Sequence, residues 1–131
     1  MRVKLGQVGH FRVLVPDPDA SAKWWRANFN LEEIFRFDAG IGLSNDNITI
    51  VLRAGKANPK AFGHMSFHVA DMKTLRRALA TLRKNGVDLE DPGDEIGPEG
   101  PGSPNMGLWF HDPDGYRWEL SVQSPTTPCA R

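Results

Sequence analysis

A nine-residue stretch that occurs twice constrains this chain more than anything else in it. Gly9-His10-Phe11-Arg12-Val13-Leu14-Val15-Pro16-Asp17 returns as Gly63-His64-Met65-Ser66-Phe67-His68-Val69-Ala70-Asp71, with Gly, His, Val and Asp kept in place. Each copy reads as a β-strand that ends in an aspartate and runs into a helical pattern. A repeat of this kind makes each copy one supersecondary unit that needs its partner to bury a core. It also sets a histidine at the same point of each strand, so pseudo-symmetric pairing can aim both imidazoles at one place.

The residues that follow each copy extend the repeat. The first strand is expected over Val8–Val15, and Pro16-Asp17-Pro18-Asp19 breaks it. Asp19 or Ser21 can cap the next helix, which runs to about Asn28 with Ala22, Trp25 and Phe29 on one face. Leu31–Phe37, Ile41–Ser44 and Asn47–Arg53 read as strands, the last from the alternation of Ile48, Ile50 and Leu52. Gly55–Lys60 links to the second copy. There Asp71 can cap a helix whose stripe is Met72, Leu75, Leu79 and Leu82, and Gly86 suits the left-handed residue beyond its end. Val87–Glu90, Met106–His111 and Tyr116–Val122 follow as strands. The prolines and glycines of Asp91–Asn105 predict a loop, long enough to serve as a lid. Asp112-Pro113-Asp114-Gly115 fits a type I turn, and the Pro- and Thr-rich tail from Gln123 is expected to fray. The order is β-α-β-β-β twice. That predicts an α+β class with mostly antiparallel strands in one domain over 1–131, with module one at about 6–54 and module two at about 61–123.

Composition removes several function classes. Lys plus Arg equals Asp plus Glu at 16 each, so no basic excess is available for nucleic acid. No apolar run approaches the ~18 residues of a membrane helix, and no signal-type segment follows Met1. The single cysteine, Cys129, allows neither a disulfide framework nor a cysteine metal site. The expectation is a cytoplasmic protein that handles a small molecule, without nucleic acid or membrane.

Three residues stand out as metal-ligand candidates: His10 and His64 at matched strand positions, and Glu119 in the last strand. Alternation sets Arg117, Glu119 and Ser121 on one face and Trp118, Leu120 and Val122 on the other. A carboxylate in such apolar company is costly without a partner. Two histidines and one carboxylate suit Fe2+, Mn2+, Zn2+ or Ni2+. Their spacing does not show that they converge, and a strand histidine is more often a core or surface residue than a ligand.

These residues carry a family likeness. Phe110-His111-Asp112-Pro113-Asp114-Gly115-Tyr116-Arg117-Trp118-Glu119-Leu120 resembles the Phe-x-Asp-Pro-Asp-Gly-x-x-x-Glu-Leu signature of the vicinal oxygen chelate superfamily, which includes glyoxalase I, bleomycin-resistance proteins, fosfomycin-resistance enzymes and extradiol dioxygenases. Val8-Gly9-His10 and Phe62-Gly63-His64 resemble the strands that open its two modules. The resemblance implies paired βαβββ modules in a U-shaped cup around a divalent metal, with His10, His64 and Glu119 as ligands. It implies chelation of two adjacent substrate oxygens and stabilisation of the anion that develops. It also implies a homodimer, because the family often pairs modules across a dimer.

Departures from the pattern sort the family's activities. Glyoxalase I adds a Glu ligand in the last strand of module one, and Asn47–Arg53 holds no Glu, Asp or His; Thr49 or a neighbour occupies the place. Arg12 stands where fosfomycin thiol transferases carry Thr. The three-ligand set resembles the dioxygenases and fosfomycin enzymes, so ring cleavage of the extradiol type is slightly preferred over a lyase, isomerase or thiol transferase. The alternative is a non-catalytic protein that sequesters an antibiotic or aromatic ligand. Arg12 shares the face of His10 and is a candidate for binding an acidic substrate. His68 shares the face of His64 and is a candidate acid or base, with Tyr116 a looser candidate beside it. His111 reads as a strand-end residue, Trp25 as core, and Trp24 and Trp109 as edge or packing residues.

Overall fold

The computed structural model describes residues 1–90 and 96–124. The backbone divides into two compact units, Met1–Ala57 and the part from Asn58 on. The architecture is α+β, with one mostly antiparallel sheet in each unit. Among the described residues no helix is long and apolar enough to cross a membrane.

In the first unit β1 (Phe11–Val15), β4 (Thr49–Ala54), β3 (Gly40–Ser44) and β2 (Glu32–Phe37) form the sheet in that order. β1 runs parallel to β4 and the other pairings are antiparallel. β1 starts at Phe11 rather than at Val8, because its sheet neighbour β4 begins only at Thr49 and Phe11 pairs with Ile50. His10 therefore lies just outside the strand, and residues 1–10 are exposed.

Helix α1 spans Pro18–Asn28. Its cap is Asp17, whose Oδ1 accepts from the Ala20 N–H at 3.2 Å, and not the expected Asp19 or Ser21. Pro18 explains the choice: at the first helical position its missing N–H costs nothing. Asp19 pairs instead with Arg36 at 2.9 Å, and Ser21 is buried. Alternation does the rest. Val13, Val15, Ile41, Leu43, Ile50 and Leu52 turn to one face and are buried with Ala22 and Trp25 of α1.

In the second unit β5 (His64–His68), β9 (Arg117–Val122) and β8 (Met106–His111) lie side by side. β5 runs parallel to β9, and β8 antiparallel. The far edge of β8 carries two short strands in tandem, β6 (Asp88–Leu89) and β7 (Ile96–Pro98). β7 corrects the sequence reading, which made all of Asp91–Asn105 a loop. Pro98 is tolerated because an edge strand can turn its missing donor outward, and the Glu99 N–H donates to the Asn105 carbonyl at 2.9 Å to close the hairpin. Of the proposed lid, residues 91–95 lie outside the described residues, and the remainder is this hairpin. Gln123 and Ser124 do not fray: the Ser124 N–H donates to Asn105 Oδ1 at 2.7 Å. Residues 125–131, with Cys129, lie outside the described part.

A four-residue helix, α2 (Pro59–Phe62), precedes β5, and α3 (Met72–Lys84) is capped by Asp71, whose Oδ1 accepts from the Thr74 N–H at 2.8 Å. Leu75 and Leu82 of α3 are buried, as are Leu108, Phe110, Trp118 and Leu120 of the sheet. Phe67 stacks on Trp118 with centroids 5.6 Å apart.

The Asp-Pro-Asp-Gly turn is a structural brace. Asp112 is buried; its Oδ1 accepts from the N–H groups of Asp114 and Tyr116, and its Oδ2 from the Trp118 indole at 3.0 Å. Gly115 closes the turn at φ +88°. With Trp118 anchored toward the core, the next residue, Glu119, must face the other way.

Candidate functional site

The face of the second sheet opposite Trp118 and Leu120 carries the chemistry. Residues paired across neighbouring strands point to the same side, so the register sorts them into rows. Ser66, Glu119 and Trp109 form one row. His64, Arg117, His111 and Asp88 form another, and His68, Ser121, Gly107 and Gly97 a third.

Glu119 is the centre. It is 2% exposed. Its Oε1 lies 3.9 Å from His64 Nε2, and its buried Oε2 has no hydrogen-bond partner among the described residues. The space that holds Oε2 exists because residue 107 is glycine: a Cβ there would collide with Oε2 and with the Trp109 ring. Burial pushes the Glu119 carboxyl up to about 7 from the ordinary 4.5; the Glu99 carboxyl in contact with it adds to the rise, while Ser66 and the Arg117 charge oppose it. A buried acceptor without a partner costs about 1–3 kcal/mol. A cation would satisfy it, and an imidazole beside a carboxylate suits a divalent metal. The residues present therefore fit the metal that the sequence implies.

Polar groups frame this centre. Ser66 and Ser121 share a hydrogen bond of 2.7 Å between their hydroxyls. Gln123 Nε2 donates to Ser121 Oγ at 2.9 Å and to Glu99 Oε1 at 3.1 Å, and Asn105 Nδ2 donates to Gln123 Oε1. Arg117 forms a forked pair with Glu90, which lowers the Glu90 carboxyl below its ordinary value.

The structure brings His64 and Glu119 together. His68 is exposed four residues along the same strand as His64, and His10 and Arg12 are exposed in the first unit. Among the described residues no three His, Cys, Asp or Glu side chains gather into a ready metal cage. Tyr116 does not join the polar face: it is buried, and its hydroxyl accepts from the Asn58 N–H at 3.0 Å. Trp25 is core, with Trp24 edge-on to it at 5.1 Å. His111 lies 3.5 Å from Glu90.

Register also identifies the residue of module one that matches Glu119. Arg12 pairs with Val51 as Ser66 pairs with Glu119, so the counterpart is Val51 rather than Thr49. Glu99, Gln123 and Asn105 escaped sequence reasoning. A three-residue strand that contains Gly97 and Pro98 shows no alternation to read, although the register that follows from β8 would have set Glu99 on the Glu119 face.

Comparison with known proteins agrees with this architecture. The glyoxalase/bleomycin resistance protein/dioxygenase superfamily matches residues 7–120. A genomically encoded fosfomycin resistance protein from Listeria monocytogenes superposes at TM-score 0.74 with 17% identity, covering 93% of this chain and 97% of that one. A glyoxalase/bleomycin resistance protein/dioxygenase from Nocardioides gives 0.76 with 13% identity over 96% and 89%. A domain of the same description from Frankia sp. EAN1pec gives 0.73 with 24% identity over 92% and 100%. No curated protein matches the chain. The match takes in His10, His64 and the Glu119 hairpin, and the chain belongs to the glyoxalase/bleomycin resistance protein/dioxygenase superfamily.

Proposed function

We propose that this chain is a divalent-metal-dependent enzyme that takes a small substrate by two adjacent oxygens, with His10, His64 and Glu119 as the metal donors. One observation carries the reading: Glu119 is buried with Oε2 unpartnered among the described residues and Oε1 3.9 Å from His64 on its own sheet face. The metal, once bound, supplies a Lewis acid that holds the two oxygens and stabilises the anion developing on them. Arg12 receives an acidic substituent of the substrate, and His68 moves a proton. Ring cleavage of the extradiol type is the reaction assigned first. Val51 leaves β4 without a further carboxylate donor, and a set of two histidines and one carboxylate suits non-haem iron.

In air, with dioxygen as the oxidant whose two atoms enter the product, Fe2+-loaded protein should open catechol-type rings with a rise in visible absorbance; silence across a panel of catechols removes the ring-cleaving assignment. Arg12→Gln should weaken acidic analogues about tenfold to a hundredfold and spare neutral ones. Equal weakening of both would remove Arg12 from the substrate site.

A second reading, a non-catalytic binder of aromatic ligands, draws on the face of the first sheet that carries Arg12 and Val51. Leu14, Phe35 and Phe37 are exposed there beside Val51. Quenching of tryptophan fluorescence by an aromatic ligand in chelator-treated protein would favour it. We further propose a homodimer, since β2 is an edge strand exposed along its whole length; a monomer in sedimentation would count against this.

A further inference from the structure

We propose that Glu90 is a positioning residue that keeps Arg117 away from Glu119 and so holds the metal position open. The inference rests on the metal reading above. Arg117 stands two residues before Glu119 on the same face of β9, in register with His64. A guanidinium this near a buried carboxylate with an unpartnered oxygen has every electrostatic reason to fork onto it.

In this structure the fork is already taken. Arg117 Nε donates to Glu90 Oε1 at 2.5 Å and Nη2 to Oε2 at 2.9 Å, and the guanidinium lies over the Trp109 ring at 5.6 Å from its centroid. Glu90 is itself fixed: its N–H donates to the Trp109 carbonyl at 3.0 Å, and His111 Nε2 lies 3.5 Å from its Oε1. Arg117 thus has two carboxylates near it and pairs bidentately with one, while Oε2 of the other has no partner among the described residues. Without Glu90 the guanidinium would turn to Glu119, neutralise it and fill the place of a cation.

The test is a double-mutant cycle read by calorimetric titration with Mn2+, each variant first shown to be folded by its thermal melt. Glu90→Gln should weaken Mn2+ binding about tenfold or more, the range found for partners one layer out from a metal. Arg117→Gln alone should bind at least as well as the native chain. In the Arg117→Gln background, Glu90→Gln should cost nothing, because no guanidinium remains to be held away. An equal cost of Glu90→Gln in both backgrounds, or no cost in either, overturns the proposal. If Glu90→Gln alone does not fold, the step from Arg117→Gln to the double variant decides: a loss of affinity there overturns it. Equal Mn2+ binding by the native chain and Glu119→Gln would sink the metal reading and this inference with it. Every other adverse outcome sinks this inference alone.

Discussion

The two modules share a scaffold and differ on the face that the scaffold leaves free. Each lays a parallel pair, β1 with β4 and β5 with β9, in the same register; module one buries alternate residues of its pair, Val13, Val15, Ile50 and Leu52, whereas β9 buries Trp118, Glu119, Leu120 and Ser121 in succession. Each closes its last hairpin with a side-chain oxygen that accepts two N–H bonds, Asn45 in one and Asp112 in the other. The other face diverges. The row Ser66–Glu119–Trp109 in module two answers to Arg12–Val51–Gly42 in module one, which Phe35 extends. One face is polar and carries a buried carboxylate; the other is apolar with two arginines, Arg12 and Arg53. The residues the two copies keep lie largely outside the core: Gly9, His10 and Asp17, like Gly63, His64 and Asp71, are exposed, and the two aspartates cap the helices that follow.

The largest effect expected is at the hairpin brace. Asp112→Ala strands two N–H groups and the Trp118 indole, and should cost about 3 kcal/mol in urea unfolding. Asn45→Ala loses two bonds at a more exposed turn and should cost about 1 kcal/mol. Equal costs would mean that the two hairpins are braced alike despite the extra Trp118 indole bond to Asp112.

Glu119 should leave a pH signature in metal-free protein. Its folded value, about 7, lies above the ordinary 4.5. Below both values each state holds the proton and there is no penalty. As pH rises between them the unfolded chain ionises first, so stability falls, and above about 7 the full penalty remains. Glu119→Gln should therefore be more stable than the native chain at pH 8 in chelator, by roughly 2–3 kcal/mol, and near parity at pH 4. A native advantage at pH 8 would mean that the carboxylate has a partner in the fold.

Two glycines sharpen the contrast further. A Cβ at Gly107 meets Glu119 Oε2 inside a buried space, whereas a Cβ at Gly42 meets the Phe35 ring, which is 41% exposed and can swing outward. Gly107→Ala should cost about 1–3 kcal/mol and weaken metal binding. Gly42→Ala should cost under about 1 kcal/mol.

Much of this was legible in the chain. Each copy of the nonapeptide forms a strand that runs into an aspartate-capped helix, because alternation and an aspartate before a helix are local signals. The Glu119 face followed from period two. The cap of α1 was missed because Pro18 moves it to Asp17, and β7 because Gly97 and Pro98 mask any alternation. Tyr116, a loose candidate for the site, has its phenol in the core. Long-range pairing decides β7 and Tyr116, whereas the α1 cap is local. Glu90, 27 residues from Arg117, has no signal in the sequence that ties the two together.

Metal titration of the full chain tests the central claim most directly. The native protein should bind one Mn2+ or Fe2+ per chain, and Glu119→Gln and His64→Ala should each lower that affinity at least about a hundredfold while remaining folded, with His10→Ala also impaired. Native affinity retained in both Glu119→Gln and His64→Ala would contradict the account.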